Sequence, residues 1–184
     1  RLHQGSPEEI VTMLLDGRAD LGIATEALPN VQDLISFPYY SWHHTVVVTP
    51  DHPLTQVKNL TLEKIAQYPI ITYHDGYTGR HSIDKTFAKA GLTPDIIMSA
   101  MDSDVIKTYT ELGLGVGIIA SMAFNSTKDM GLKLLQSEHL FDANTTVIAL
   151  RQGHFLRGFA YRFIELCNQQ LNETTVREAI NPTR

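Results

Sequence analysis

Apolar positions along this chain come in two kinds of run that take turns. Some are short and unbroken, and others recur three and four residues apart. The first kind reads as strand, the second as amphipathic helix. Leu2 to Gln4 reads as a short strand. It leads into Ser6-Pro7-Glu8-Glu9, where Ser6 can cap, Pro7 suits the first helical position and Glu9 completes a capping box. Ile10, Met13 and Leu14 give that helix its stripe, Gly17 stops it, and Asp20 to Ala24 is the next strand. Strand, helix and strand over so short a span predict a βαβ unit with parallel strands.

The pattern recurs further on. Pro69 to Tyr73 reads as strand, Gly79 to Ala90 as a helix ended by Gly91, and Pro94 to Ala100 as strand. A helix from Asp104 to Leu112, with Val105, Tyr109 and Leu112 on one face, then enters the strand Gly115 to Ala120. Phe37 to Thr49 is extended and β-branched, and Pro50-Asp51-His52-Pro53 turns it. Thr145 to Leu150 is the last strand. His154 to Leu171 reads as one long helix striped by Phe155, Phe159, Phe163, Ile164, Cys167 and Leu171. The whole predicts an α/β fold, mostly parallel sheets with helices on both faces.

Composition narrows the classes. With 184 residues the chain exceeds a typical single domain, so one large domain or two intertwined lobes fit. Hydrophobic content of 43% and charged content of 19% exclude a disordered chain. Lys plus Arg number 15 against 20 for Asp plus Glu, a net charge of −5 without basic clusters, which argues against a nucleic-acid grip by these residues. No apolar run approaches the roughly 18 residues of a membrane span. The single cysteine, Cys167, excludes an internal disulfide and a multi-thiolate metal site, and its place on an apolar stripe reads as buried and inert. The chain opens at Arg1 without Met, which reads as a piece of a longer polypeptide.

In parallel sheets, ligands bind beyond the carboxyl ends of the strands. The residues there are Thr25-Glu26, the stretch His74 to Arg80, Met101 to Asp104, and Ser121. Hydroxyls and backbone amides dominate, which points to a small anion. Thr78-Gly79-Arg80 at a helix start can offer a hydroxyl and amides to such an anion, or Thr78 can simply be the N-cap. Arg80 either faces the anion or pairs with Asp84 one turn on. Thr25 either donates to a ligand or closes its strand end. Gly113, Gly115 and Gly117 follow a helix and enter a strand, the reverse of a dinucleotide fingerprint, and read as a tight turn. Eight histidines show no metal spacing, adjacent His43 and His44 should face opposite ways, and no nucleophile elbow occurs. Trp42 and the Phe37–Tyr40 cluster read as core or lobe junction, with a planar ligand as the other option.

Several stretches resemble LysR-type transcriptional regulators, in their effector-sensing domain. Thr49-Pro50-Asp51-His52-Pro53-Leu54, Leu60-Thr61-Leu62-Glu63 leading to Tyr68-Pro69-Ile70-Ile71, and Val116-Gly117-Ile118 carry it. HQGSP (His3 to Pro7), IATEAL (Ile23 to Leu28), YTGR (Tyr77 to Arg80) and DVIKTYTELGLGVGIIASMA (Asp104 to Ala123) resemble the CysB/Cbl subgroup, which controls sulfur assimilation. Departures around Ser41-Trp42-His43-His44 lean toward the Cbl phrasing.

The resemblance implies a type 2 periplasmic-binding-protein-like fold of two lobes with the ligand in the cleft between them. Lobe one would be residues 1–39 and 144–184, lobe two residues 40–143. It implies Thr25 and Thr78 as anion ligands, one from each lobe, with Gly79, Ser6 and Arg80 as further ligand-binding candidates and no catalytic or metal residue. The first strand and helix of lobe one, with a Thr-x-Thr-Gln motif, and the winged helix-turn-helix that binds DNA would lie upstream of Arg1. The implied protein is a cytoplasmic regulator, a homotetramer in full length, without cofactor or membrane contact. Its effector would be adenosine 5′-phosphosulfate, or else sulfate or thiosulfate. A periplasmic anion solute-binding protein would share the fold and is the alternative.

Overall fold

A computed structural model describes residues 1–25, 28 and 31–181. The chain divides into two compact units, Arg1–Ser41 with Thr145–Arg184, and Trp42–Asn144. The chain passes from one unit to the other within two strands, β2 (Leu34–Trp42) and β8 (Asn144–Arg151).

The first unit is built on a three-stranded sheet, with β8 between β1 (Gly22–Ala24) and β2. Successive residues of β8 are buried, so both its faces are covered and its alternation sorts two cores. Ile148 and Leu150 pack with Phe37 and with Ala160, Tyr161 and Ile164 of α5 (Gly158–Cys167) and Val176 and Ile180 of α6 (Glu173–Ile180). Val147 and Ala149 pack with Leu14 of α1 (Pro7–Leu15), Leu28 and Leu34. The α1 start carries the capping box read from the sequence: the Glu9 amide donates to Ser6 Oγ at 3.2 Å and the Ser6 amide to Glu9 Oε2 at 2.7 Å.

Several readings of this unit are corrected. Leu2 to Gln4 is not a strand: Leu2 is 99% exposed, and among the described residues no strand pairs with this stretch, so its backbone has no ladder to join. The first βαβ unit is therefore absent, and β1 runs antiparallel to β8, Gly22 facing Ala149. The long helix is shorter than read, Gly158–Cys167, and α6 follows beyond Leu171. Asn168 turns extended (φ −147°, ψ 109°), its Nδ2 donating to Pro38 O at 3.1 Å, and Asn172 caps a fresh helix by accepting from the Thr175 amide. The aromatic stripe also faces the wrong way: Phe155, Phe159 and Phe163 are exposed, whereas the smaller Ala160 and Ile164 meet the sheet. Cys167 is half-buried rather than enclosed, packed against the core of Ile148 and Ile164.

The second unit holds a five-stranded sheet in the order β5-β4-β6-β3-β7, with β3 (His44–Val48), β4 (Ile70–Tyr73), β5 (Ile96–Ala100), β6 (Val116–Ala120) and β7 (Lys133–Leu135). Here both sequence-read βαβ units stand. The short α2 (Leu62–Ile65) precedes β4, α3 (Arg80–Lys89) links β4 to β5, and α4 (Ser103–Glu111) links β5 to β6; β4 pairs parallel with both β5 and β6. β3 is antiparallel to β6 and β7, so the sheets are mixed rather than mostly parallel. Val46, Val47, Ile70, Ile71, Ile118 and Ile119 form the core, closed by Ile83 and Phe87 of α3 and Ile106 of α4. The Gly113-x-Gly-x-Gly turn is set by close approach: a Cβ on Gly115 would stand 2.6 Å from Pro69 O, and one on Gly117 2.6 Å from Thr110 Oγ1.

Two helix faces supply a stability test. Ile164→Ala opens a hole in a fully buried position and should cost about 2–5 kcal/mol. Phe159→Ala, on the exposed stripe of the same helix, should stay within about 0.5 kcal/mol. Denaturant unfolding of both variants checks the orientation of α5.

Candidate functional site

The parallel strands of the second unit end together at Tyr73, Ala100 and Ala120. Antiparallel β3 begins at that edge, with His44 opposite Ala120. The residues that follow these ends, His74 to Gly79, Met101-Asp102 and Ser121, therefore share one rim with His44. Tyr73 reinforces the rim by accepting the Ala120 amide on its hydroxyl at 3.0 Å, and burial pushes its phenol up to about 12. Asp102 caps α4 through the Val105 amide.

Thr78-Gly79-Arg80 sits on this rim in an unusual backbone. Thr78 has φ +41° and Gly79 φ +71°, two left-handed residues in succession. Gly79 tolerates that; a β-branched residue does so only when its neighbours enforce it. The N-cap of α3 is Gly79, with no side-chain cap bond, so the reading of Thr78 as N-cap is corrected. The helix therefore starts one residue later than a capping Thr78 would start it.

Arg80 is held by protein. Its Nε donates to Asp84 Oδ1 at 2.9 Å, its Nη1 to Tyr73 O at 2.7 Å, and Asp75 lies 3.3 Å from the same Nη1. Of the two readings open in the sequence, this is the Asp84 pair. It ties the start of α3 to the end of β4.

His44 was not foreseen as part of this rim. The side chain is fully buried, with Trp42 and Phe141 edge-on at 4.9 and 5.8 Å between ring centres. Its Nε2 lies 3.0 Å from Thr78 O, and Asn144 Nδ2 lies 3.3 Å from its Nδ1. A carbonyl only accepts, so Nε2 carries the hydrogen and Nδ1 receives the amide's. Burial lowers the His44 pKa to about 4, opposed by the Thr78 carbonyl, so the ring is neutral at pH 7. The only hint in the sequence is a histidine heading the run Thr45-Val46-Val47-Val48; its partners lie far along the chain.

In the first unit, Thr25 follows β1 and its hydroxyl meets Thr146 Oγ1 at 3.1 Å. Thr146 was also missed in the sequence, because antiparallel pairing of β1 with β8 brings it opposite Thr25. Ser6 is occupied as the acceptor of the α1 capping box. Glu26, the other residue expected at this strand end, lies outside the described residues. Among the described residues no three of His, Cys, Asp or Glu group to hold a metal ion, and no helix is long and apolar enough to cross a membrane.

This architecture and its rim of hydroxyls and amides have a family. The LysR substrate binding domain model matches residues 1–172, and the chain belongs to that family of effector-binding domains. Particular relatives lie near. The HTH-type transcriptional regulator SsuR of Burkholderia cenocepacia is 54% identical over 183 residues, 97% of this chain and 59% of that protein. The HTH-type transcriptional regulator cbl of Escherichia coli (strain K12) is 49% identical over 97% of this chain and 57% of its own length. The crystal structure of the cofactor-binding domain of the Cbl transcriptional regulator matches with a TM-score of 0.95 at 48% identity, over 99% of this chain and 80% of that one. The two-lobed, type 2 periplasmic-binding-protein-like fold is thus the one this chain adopts. The chain spans under two thirds of the length of these full-length relatives.

The buried imidazole has a pH signature. Its folded pKa, about 4, lies below the usual 6.5, so folding favours the neutral ring. The resulting stability is complete above pH 6.5 and lost as pH falls from there to about 4, in total roughly 3 kcal/mol. The unfolding free energy should therefore fall less between pH 7.5 and pH 4.5 in His44→Gln, which has no ring to charge, than in the native chain.

Proposed function

We propose that this chain is the effector-sensing domain of a LysR-type regulator of sulfur assimilation and sulfonate utilisation genes, and not an enzyme. Its effector is a sulfate-bearing metabolite, adenosine 5′-phosphosulfate by preference, with sulfate or thiosulfate next. The observation that carries this reading is the likeness to the regulators SsuR and Cbl along nearly the whole chain, with Thr25, Thr78 and Gly79 at strand and helix ends. On this reading those three are effector contacts, and Ser6 contributes through the start of α1. Arg80, held by Asp84 and Tyr73, shapes the loop.

The donor chemistry supports sulfate over phosphate. Hydroxyls and amides give hydrogens and neutralise nothing, which suits an anion without a proton of its own at pH 7. Phosphate would call for an acceptor beside them. In the full-length regulator, effector binding shifts the relation between its lobes and so the spacing of DNA-binding heads in a cytoplasmic homotetramer. DNA contact belongs to the part of the protein outside these residues, which accords with the net charge of −5 here.

Calorimetric titration of adenosine 5′-phosphosulfate, sulfate and phosphate is the test. Saturable binding of the sulfated ligands over phosphate is expected, and Thr78→Val should weaken it by about 1 kcal/mol or more, the loss of one hydrogen bond. Equal affinity for phosphate, or an unchanged Thr78→Val, would displace the reading.

A further inference from the structure

The Thr78 turn is an improbable backbone for a β-branched residue, and something must hold it. Thr78 and Gly79 both lie at positive φ, and the side chain of Thr78 takes no part in capping α3. The His44 ring is placed to hold both residues at once. Its Nε2 meets the Thr78 carbonyl at 3.0 Å, and its Cε1 would stand 2.7 Å from a Cβ on Gly79, so the ring lies directly against a bare Cα. Asn144 completes the arrangement from the far side, with Nδ2 on His44 Nδ1 and Oδ1 3.0 Å from the same Gly79 Cβ position.

We propose that His44 is the positioning residue of the Thr78 loop. Its Nε2–H holds the Thr78 carbonyl so that the residue stays in the left-handed turn from which it meets the effector, and Asn144 fixes the tautomer that makes the donation possible. The effector half of this statement rests on the function proposed above; the loop half stands on this unit's geometry alone.

The chemistry is specific to a donor. An apolar ring of similar size fills the same space between Trp42, Tyr73 and Phe141 but gives the carbonyl nothing. The carbonyl, turned inward with no donor, then favours a peptide rotated toward solvent. Thr78 relaxes toward the negative φ its side chain prefers, and its N–H and hydroxyl move with it. The placement also sets this residue apart from core filler. His44 heads β3 two residues after the chain enters this unit, and Asn144 is the last residue before it leaves. The two contacts on Thr78 and Gly79 are thus made by the segments adjoining the two crossings.

The test uses the chain with His44→Phe and His44→Gln, titrated with inorganic sulfate and with adenosine 5′-phosphosulfate at a temperature where circular dichroism shows each folded. His44→Phe should weaken binding about 5-fold or more, the effect of one lost hydrogen bond, and His44→Gln, whose amide can donate to the same carbonyl, should recover most of it. Equal loss in both, or no loss in folded His44→Phe, overturns the proposal. Nitrogen-15 spectra without ligand give an independent reading: the His44 ring should be in the Nε2–H form, with Thr78 and Gly79 amides displaced in His44→Phe and near their native positions in His44→Gln. An Nδ1–H ring, or undisplaced loop amides, sinks it. Where His44→Phe does not fold, Asn144→Ala keeps the ring and should erode both the tautomer preference and the affinity; retention of both counts against us. A native chain that binds neither anion overturns the proposed function, while the spectra still decide the role of His44.

Discussion

A histidine with no water around it has to be neutral, and a neutral imidazole has to find an acceptor for one nitrogen and a donor for the other. At the head of β3 that requirement organises the rim of the second unit. The strand itself is buried throughout, wedged between β6 and β7, so His44 cannot swing outward to solvent. Its acceptor is a loop carbonyl and its donor a side-chain amide from the opposite end of the unit's sequence. A left-handed threonine, a glycine that tolerates no side chain and the start of α3 follow from that one choice.

Around this point the cation of the rim is committed to partners within the protein. Arg80 stands in the first turn of α3, where the helix dipole disfavours a cation, and is compensated by Asp84, Asp75 and the Tyr73 carbonyl. The rim offers hydroxyls and amides alongside the carboxylates of Asp75 and Asp102. On the function proposed above, such a rim discriminates by geometry and by the direction of its hydrogens more than by attraction at a distance. Small-molecule sensing calls for such discrimination, and it fits the mildly acidic composition of the chain.

Much of the second unit was legible because its elements are local and strongly patterned. β4, α3, β5, α4 and β6 all fall within a residue or two of their sequence-read positions. The first unit was harder for a physical reason. A strand exists only if another strand takes its hydrogen bonds, and Leu2 to Gln4 has the right residues without a described partner. The α5 stripe misled in another way. Phe159 and Phe163 outweigh Ala160 and Ile164 in hydrophobicity, yet β8 meets the side that carries Ala160, Tyr161 and Ile164. At Asn168 the break combines a local turn, its Oδ1 accepting the Gln170 amide, with a bond to Pro38, a residue far away in sequence.

The sequence by itself determined the α/β class, the βαβ units around β4, the capping box at Ser6, the Arg80–Asp84 pair and the strand-end and helix-end stations of Thr25 and Thr78. All of these depend on residues a turn or a strand apart, where spacing alone fixes who meets whom. Tertiary structure alone decided that β1 is antiparallel to β8, that Thr146 faces Thr25, that α5 turns its aromatic face outward, and that His44 and Asn144 close on Thr78. These are pairings across long stretches of chain, chosen by which nitrogen, oxygen or methyl group is left unsatisfied when the core closes, and that is settled only once the fold has formed.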